Sequence, residues 1–346
     1  MTTNDVGRSA VRRSPSMGEV ASHAGVSAQT VSRVANGLAN VQDDTRERVL
    51  SAMRELGYRP NRAARALRSG AFGTIGVIAF TLSSFGNIRT LDALSVAAAA
   101  EGYSITVIRI LDPTIGRIEG AYDRLRENAV DGVVLIFEAH LIDDSEVDLP
   151  AGLPVVVVDS NASSHYSVVD TDQALGACQA TQHLLDLGHR TVRHVAGPAH
   201  SFSAGRRADA WARTLTTAGA PLQPVLHGDW SAESGYRAGR EFVEDPSVTA
   251  VFAANDQMAL GVMRVLHEEG RRIPQDVSVV GFDDTEESAM FWPPLTSVHQ
   301  DFGEVGRRCI RMLLAAIAEP GREAERVLVP TRLVPRASSG PVGAGA

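Results

Sequence analysis

The sequence predicts a small all-α segment at the N-terminus followed by a doubly wound parallel α/β body. Before residue 70, short helical patterns flank a glycine turn, and after Gly73 apolar runs alternate with helical stretches. The chain has 346 residues. That length exceeds one compact core and fits two or three domains of roughly 100–200 residues each.

The first helix of the N-terminal segment has a clear start and stop. Ser16 and Glu19 have the spacing of a capping box, which predicts a helix over 17–23. Gly25 follows and can adopt the positive φ of a tight turn, while Ser27 is placed to cap the next helix.

Two further helices complete this segment. Residues 28–35 place Val31 and Val34 on one side, and a third helix is predicted over about 45–56, with Gly57 as its stop. Two short helices across a glycine turn, braced by a third helix, predict a helix-turn-helix.

The second helix carries side chains suited to a DNA major groove. Gln29 can read adenine and Arg33 can read guanine through paired hydrogen bonds. Thr30 and Ser32 are short donors for phosphates or base edges. The residues alone leave open a small helical bundle that has no role on DNA.

The charge distribution is compatible with DNA binding by this segment. The formal net charge is −8, but residues 1–70 contain 11 arginines and 6 acidic residues, which leaves +5 there and −13 in the rest. Every basic residue is an arginine. Because attraction to phosphate depends on the local face, the basic segment can bind nucleic acid although the whole chain is acidic. Composition alone also allows a merely solvated charged segment.

A short arginine-rich stretch links the two parts. Residues 62–68 contain the small Ala63, Ala64 and Ala66 and one isolated apolar side chain, Leu67. The stretch is too short to form a stable helix alone in water. It is either an exposed linker or a hinge helix that orders on DNA, where Leu67 would wedge into the minor groove.

The body contains repeated strand and helix patterns. Apolar runs predict strands at 74–80, 104–110, 132–137, 154–159, 191–196, 248–254 and 277–282. Helical stretches between them include 90–101, 118–128, 173–187, 204–218, 231–243 and 257–269. These are too many units for one sheet, so we expect two lobes with a ligand cleft at the carboxyl ends of the strands.

The body contains none of the enzyme motifs that we sought. The phosphate-binding, dinucleotide-binding, nucleophile-elbow and zinc-protease patterns are missing, so we expect no catalysis, no cofactor and no metal. An acidic cluster of Asp283, Asp284, Glu286 and Glu287 could hold a divalent metal or an acid–base pair, but a solvated loop is the simpler interpretation.

The cysteine count and the lack of a recognisable membrane or secretory segment favour a cytoplasmic protein. The two cysteines, Cys178 and Cys309, cannot form a disulfide framework and suit a reducing compartment. No apolar run reaches the roughly 18 residues that span a bilayer, and residues 1–15 do not resemble a secretory signal. We therefore expect no membrane association.

Several motifs resemble those of the lac repressor (LacI) family. In the N-terminal segment they lie at 19–36, 45–49 and 57–61, and in the body at 187–190, 196–198, 254–261, 278–286 and 294–302. The resemblance covers about residues 16–336 and is closest within 250–302. It implies a periplasmic-binding-protein-like core whose lobes are joined by three crossovers, near 160–172, 287–302 and 328.

The resemblance also implies a domain plan. The ranges are 1–14 for a disordered tail, 15–60 for a helix-turn-helix domain, 61–70 for the hinge helix, 71–336 for the effector-binding core and 337–346 for a flexible tail. Within the core, the first lobe takes about 71–171 and 302–328, and the second takes about 172–299 and 329–336.

The implied function is a sequence-specific transcriptional regulator, a repressor, controlled by a small sugar such as a galactoside or another mono- or disaccharide. The partners would be a double-stranded, pseudo-palindromic DNA operator, the sugar, and a second copy in a homodimer, since no leucine-heptad helix follows residue 336. A solute-binding protein and a sugar-modifying enzyme are the alternatives, which the basic segment and the missing motifs disfavour.

The resemblance also implies site residues, at the positions of this sequence that match the family's motifs. The expected DNA contacts are Ser27, Ala28, Gln29, Thr30, Ser32, Arg33, Asn36, Asn40, Tyr58, Asn61, Ala64, Leu67 and Arg68. The expected effector contacts are Asp159, Arg207, Trp230, Asn255, Asp283 and Gln300. An aromatic plate with carboxylates, amides and one arginine suits a neutral polyol.

Two departures from the family pattern stand out. Gln42 replaces the usual Ser or Thr helix cap, so Asp43 or Asp44 is expected to cap the third helix instead. Around 81–87 the family's smaller apolar lining gives way to Phe80, Phe85 and Asn87, which leaves the identity of the sugar open.

Overall fold

The chain divides into two compact units, Met1–Phe72 and Gly73–Ala346. The structure, a computed structural model, describes residues 15–35, 40–58, 71–82, 84–110, 115–136, 152–158 and 166–342. The predicted tail over 1–14 and the hinge helix over 61–70 lie outside the described residues.

The first unit is a three-helix cluster. Helices α1 (Met17–Ala24), α2 (Ala28–Ala35) and α3 (Asp43–Leu56) pack their apolar faces together. Val20 and Val49 are completely buried in this cluster. The amphipathic spacing of these side chains explains why three short helices, each marginal alone, are stable together.

The predicted caps of α1 and α2 are confirmed. The Ser16 backbone N–H donates to Glu19 Oε2 at 2.5 Å, and the Glu19 N–H donates to Ser16 Oγ at 3.2 Å. Gly25 has a φ of 65°, and the Thr30 N–H donates to Ser27 Oγ at 3.2 Å. The glycine turn and the serine cap therefore set the angle at which α2 leaves α1.

The prediction for the start of α3 is wrong. The helix begins at Asp43, so Gln42 occupies the cap position, and its side chain makes no capping hydrogen bond. Asp43 and Asp44 instead lie in the first turn, where their negative charges stabilise the positive end of the helix dipole.

The second unit alternates strands and helices. Its first part contains β1 (Thr74–Ala79), α4 (Phe85–Ala100), β2 (Ser104–Arg109), α5 (Ile115–Glu127), β3 (Gly132–Ile136), β4 (Val155–Val158) and β5 (Ser167–Thr171). Its middle part contains α6 (Gln173–Asp186), β6 (Arg193–Ala196), α7 (Phe202–Thr217), β7 (Leu226–His227), α8 (Ala232–Glu244), β8 (Ala250–Ala253), α9 (Asp256–Glu268), β9 (Ser278–Asp283), a 3₁₀ turn (Glu286–Met290) and β10 (Thr296–His299). Its last part contains α10 (Phe302–Ala318), β11 (Arg326–Val329) and β12 (Arg332–Val334).

These strands form two six-stranded sheets, one in each lobe. The first sheet has the order β11-β5-β4-β3-β1-β2 and is entirely parallel. The second has the order β12-β10-β9-β8-β6-β7, with β12 antiparallel to β10. The predicted fold, a helix-turn-helix followed by two doubly wound lobes, is confirmed.

The chain passes between the sheets three times. It leaves the first sheet after β5, returns to it between β10 and α10, and leaves it again between β11 and β12. Helix α10 completes the first lobe by burying Val305, Ile310 and Leu313 against its sheet. It also packs tightly on α4 at Gly306. A Cβ at that position would lie only 2.6 Å from the Ala93 carbonyl carbon, so the close approach requires glycine.

The C-terminal segment is docked, and the prediction of a flexible tail is wrong over residues 337–342. Ser338 is completely buried, and its Oγ donates to the Val279 carbonyl at 2.6 Å and accepts from the Thr296 N–H at 2.7 Å. The small residues that suggested flexibility allow the backbone to approach β9 and β10 closely. No helix among the described residues is long and apolar enough to cross a membrane.

Candidate functional site

The outer face of α2 is polar. Val31 and Val34 point into the helix cluster, whereas Gln29 and Arg33 are exposed and Thr30 and Ser32 are half-buried. Because the apolar side fixes the helix, the polar side chains form a surface that can enter a DNA groove.

The other predicted DNA contacts have different placements. Ser27, Ala28 and Asn40 are exposed, whereas Tyr58 is half-buried and packs against the helix cluster. Tyr58 therefore has a structural role besides any contact with DNA. The remaining predicted contacts lie outside the described residues, namely Asn36, Asn61, Ala64, Leu67 and Arg68.

The second unit contains a cleft between its lobes, with a volume of about 570 Å³ including the open mouth. The first lobe contributes Ser84, Phe85, Gly86, Asn87, Thr90, Ile136, Val158, Thr171, Phe302 and Val305. The second lobe and the connections contribute Gln173, Ser203, Arg207, Trp230, Asn255, Asp283 and Gln300. Five of the six predicted effector contacts thus line one cleft, and Asp159 lies outside the described residues.

Arg207 is held in a fixed orientation at the cleft. It lies in the second turn of α7, its Nε donates to Gln173 Oε1 at 2.8 Å, and its Nη1 donates to the Ala254 carbonyl. Its guanidinium carbon lies 3.7 Å from the centroid of the Phe282 ring. Burial, hydrogen bonds and cation–π contact therefore fix the orientation of this fork of donors.

Asp283 lies opposite, at the end of β9. Gln300 Nε2 donates to Asp283 Oδ1 at 2.6 Å, and Arg207 Nη1 lies 3.9 Å from the same oxygen. Asp283 adopts a φ of 109°, a strained value that turns it out of the strand. Arg207 and Asp283 are the charged residues among the described lining, so their charges cancel and the cleft suits a neutral ligand.

Trp230 provides a flat apolar wall. Its ring packs on Gly197, where a Cβ would lie 2.3 Å from Trp230 Cη2. Asn255 Nδ2 donates to the Trp230 carbonyl at 3.0 Å, and Asn255 Oδ1 accepts from the Met258 N–H, capping α9. Gly197 therefore supports the indole ring directly and Asn255 fixes the backbone that carries it, which gives a stacking surface of the kind that a pyranose ring requires.

Several lining residues were missed from the sequence, among them Gln173, Thr171, Thr90 and Ser203. Gln173 bridges the cleft network, because its Oε1 accepts from Arg207 and its Nε2 donates to Gln300 Oε1 at 3.4 Å. Thr171 ends β5 and Gln173 begins α6, so recognising β5 as a strand would have pointed to both residues.

A buried carboxylate supports the floor of the second lobe. Asp256 is completely buried and accepts hydrogen bonds from the Thr285 N–H, Ser288 Oγ and Ser297 Oγ at 2.9, 2.6 and 2.6 Å. Burial outweighs these bonds and raises the pKa of Asp256 to about 6.

In the acidic cluster after β9, Asp284 is held by basic side chains, whereas Glu286 and Glu287 are exposed. Asp284 Oδ1 accepts from Arg336 Nη2 at 2.6 Å, and Asp284 Oδ2 lies 3.0 Å from His299 Nδ1. These contacts give Asp284 a structural role in joining β9, β10 and the C-terminal segment.

A helix-turn-helix unit joined to a two-lobed core with a polar cleft defines the class of ligand-responsive DNA-binding regulators. Residues 16–61 match the family model described as bacterial regulatory proteins, lacI family, and residues 181–339 match the periplasmic binding protein-like domain. The chain belongs to the lacI family of bacterial regulatory proteins.

Individual relatives agree with this assignment. The chain is 35% identical over 302 residues to the lactose operon repressor of Escherichia coli (strain K12), an alignment that covers 86% of this chain and 83% of that protein. The crystal structure of the lac repressor dimer bound to operator and the anti-inducer ONPF matches with a TM-score of 0.83 at 33% identity, covering 95% of this chain and all of that one. A complex of the transcriptional regulator CelR with cellobiose matches with a TM-score of 0.70 at 33% identity, covering 94% and 99% of the two chains.

Proposed function

We propose that this protein is a homodimeric, sequence-specific DNA-binding repressor whose operator affinity is controlled by an uncharged sugar in the cleft. The observation that carries the proposal is the lining of the cleft. Arg207 in a fixed orientation, its carboxylate partner Asp283 and the flat ring of Trp230 line the cleft together, and the two charges sum to zero. This chemistry suits a ring with many hydroxyl groups and excludes a strongly charged ligand.

The DNA-binding role rests on the exposed polar face of α2 and on the basic charge of residues 1–70. Gln29 and Arg33 would read base edges, while Ser27, Ala28, Thr30, Ser32, Asn36, Asn40, Tyr58 and Asn61 would contact the backbone or flanking bases. Ala64, Leu67 and Arg68 would act in the hinge helix on the minor groove.

A homodimer follows from the need to bind both halves of a pseudo-palindrome. Large apolar side chains exposed on the second unit support it: Trp292 is 93% exposed and Met290 is 82% exposed. Such side chains are rarely left in water on a monomer, so we assign this patch to the partner contact.

The domain plan is part of the proposal. A DNA-binding domain over 15–60 and a hinge helix over 61–70 would respond to the conformation of the effector-binding core, which begins at about residue 71. The sugar would act by binding one arrangement of the lobes more tightly than the other, because a ligand without differential affinity shifts no equilibrium.

Footprinting tests the DNA-binding role. Purified protein at low salt is expected to protect a pseudo-palindromic site selected from random DNA, with half-sites centred about 34–36 Å or a small multiple apart. Leu67→Ser should weaken specific binding while leaving the melting temperature of the core unchanged. Uniform, sequence-independent protection would contradict the proposal.

A thermal-shift screen with mono- and disaccharides tests the sensor. A true effector raises the melting temperature by mass action and changes operator affinity in the same concentration range. We further propose that the protein acts in the cytoplasm and has no catalytic activity, so the sugar should be recovered unaltered after prolonged incubation.

A further inference from the structure

Two side chains on one face of α7 cross from the second lobe to the first. Phe202 packs against the buried apolar cluster of the first lobe that includes Val168. Arg206 pairs with Asp170. Phe202 and Arg206 are four positions apart in a helix, and Val168 and Asp170 are two positions apart in β5. Each pair of residues therefore lies on one face of its element, so that a helix face of one lobe meets a strand face of the other.

Helix α7 is anchored in the second lobe by its later turns. Ala210, Trp211 and Leu215 are buried in the apolar cluster of that lobe. Trp211 Nε1 also donates to the Val192 carbonyl at 3.0 Å. The helix therefore moves with the second lobe, while its first two turns contact the first lobe.

The ion pair opposes separation of the lobes. The Asp170 side chain is completely buried, whereas that of Arg206 is 24% exposed. Arg326 also exerts a favourable charge on the Asp170 carboxylate, but it lies in β11 of the same lobe. Moving the lobes apart would withdraw Arg206 and not Arg326. Loss of a paired cation is costly for a buried carboxylate, so the pair favours the arrangement in which the two side chains meet.

The same two turns of α7 carry residues of the cleft. Ser203 and Arg207 directly follow Phe202 and Arg206, and both line the cleft. Successive residues are about 100° apart around a helix, so one edge of α7 contacts the first lobe and the adjoining edge faces the ligand. Because the first lobe supplies the opposite wall of the cleft, the contact at Arg206 fixes the spacing between the two walls.

From these contacts we infer that Phe202, Arg206 and Asp170 form an interlobe clamp, which holds the lobes in this arrangement and thereby sets the affinity for the effector. The three residues are not part of the cleft lining. They are positioning residues, which act on a ligand through the spacing of the walls. The effect on the ligand rests on the proposed sugar-sensing function, whereas the link between the lobes does not.

Distances between spin labels test the clamp without any sugar. One label is attached to the exposed Cys178 of α6, and the other to the thiol introduced by Glu127→Cys at the exposed end of α5. Labelled chains are diluted with unlabelled chains so that both labels belong to one chain. The double variant Asp170→Asn, Arg206→Met, which buries no charge, should give a broader or displaced distance distribution. An unchanged distribution would refute the clamp.

Calorimetry with the sugar found in the thermal-shift screen tests the effect on the effector. If the clamped arrangement binds the sugar and the double variant populates it less, the sugar Kd should rise about 3- to 10-fold. The sugar concentration at the half-maximal change in operator binding should rise with it, because the two equilibria are linked. An equal or lower sugar Kd in the double variant would overturn the effect on the effector.

Two control variants separate the clamp from a general loss of charge. Arg326→Met removes a charge that acts on the same carboxylate from within the first lobe, and Arg213→Met removes an exposed arginine later in α7. Both should keep the wild-type distances and sugar Kd, and changes as large as those of the double variant would refute the clamp. Melting temperatures show that each variant is folded. If no saccharide binds to any of these proteins, the proposed effector fails, and the distances alone decide whether the clamp links the lobes.

Discussion

Arg206 of the second lobe pairs with Asp170 of the first lobe, and the carboxylate of Asp170 is completely buried. Asp170 lies in β5 and Arg206 in α7, next to the cleft residue Arg207. The other carboxylate oxygen of Asp170 has no hydrogen-bond partner among the described residues. The pair therefore joins the two lobes, and the guanidinium of Arg206 compensates a carboxylate that is completely buried.

Removing Arg206 should destabilise the second unit. Arg206→Met leaves the buried Asp170 carboxylate without its cation, and we expect the free energy of unfolding at pH 8 to fall by about 3 kcal/mol. Because burial raises the pKa of Asp170, protonation relieves this penalty, so the loss should shrink towards pH 5.

Urea denaturation of four proteins measures this effect: wild type, both single variants and the double variant Asp170→Asn, Arg206→Met. The double variant buries no charge and should recover most of the lost stability. Additive losses in the double variant would show that the two side chains do not interact.

Loss of the cleft carboxylate should separate sugar binding from DNA binding. Asp283→Ala removes the acceptor that Gln300 and Arg207 share, and the sugar Kd is expected to rise about 10- to 100-fold. Operator affinity without sugar should stay at the wild-type value. Calorimetry and gel shifts measure the two constants, and Asp276→Ala, which removes a half-buried carboxylate paired with Arg272 outside the cleft, is the matched control.

Substitutions on α2 should change which DNA sequence is bound. Gln29→Ala and Arg33→Ala each remove an exposed base-reading side chain, so the operator Kd should rise about 5- to 100-fold and the preference at one base pair should relax. Selection from random DNA reports the altered position. Arg272→Ala, an exposed arginine of the second unit, should leave affinity and preference unchanged, and equal effects of all three variants would argue for non-specific electrostatics.

The buried Asp256 should make stability depend on pH in an identifiable way. Its pKa is about 6 in the folded protein and 3.8 in the unfolded chain, so the folded protein keeps a proton that the unfolded chain releases. Its contribution to stability therefore falls as pH rises from about 4 to 6. Between pH 4.5 and 7, the difference in unfolding free energy between wild type and Asp256→Asn should fall by about 2 kcal/mol.

Denaturant melts at several pH values measure this difference. Asp276→Asn is the control, because the pKa of Asp276 is lowered to about 2 and the group stays ionised across most of the range. If the difference in unfolding free energy between wild type and Asp256→Asn is also constant between pH 4.5 and 7, Asp256 is ionised in the folded protein over that whole range.

The docked C-terminal segment should contribute to the stability of the second lobe. Ser338→Ala removes the Oγ that joins the Val279 carbonyl and the Thr296 N–H, leaving two buried groups without a partner. The expected cost is about 1–3 kcal/mol, seen as a lower melting temperature. Ala337→Ser changes the exposed neighbouring residue and should melt like wild type; a similar loss there would assign the effect to the backbone of the segment.

The sequence predicted the buried parts of the fold well. Strands β1 and β3 lie within one residue of their predicted bounds, because strands buried on both faces are continuous apolar runs. Strand β5 was missed since it contains Asp170, a polar residue whose partner lies 36 positions away and cannot be paired from the sequence. The C-terminal segment was misread because its contacts are made by backbone and serine groups, which have no hydrophobic pattern.

The candidate cleft was predicted in part. Arg207, Trp230 and Asp283 came from the family resemblance, which gives positions of known motifs. Thr90 and Thr171 were not predicted as lining residues. A threonine in a helix or at a strand end is common, and only its burial beside a cleft distinguishes it.

The three passages of the chain between the lobes have a consequence for synthesis on the ribosome. Strands β1 to β5 emerge first, but α10, which buries Val305, Ile310 and Leu313 on their sheet, begins only at Phe302. Residues 172 to 301 are translated in between, which takes roughly 6–26 s at bacterial rates. During that interval α4 covers only part of this face of the sheet and the area that α10 later buries is exposed, so this protein depends on chaperone cover or fast elongation at that stage more than a chain whose lobes are contiguous.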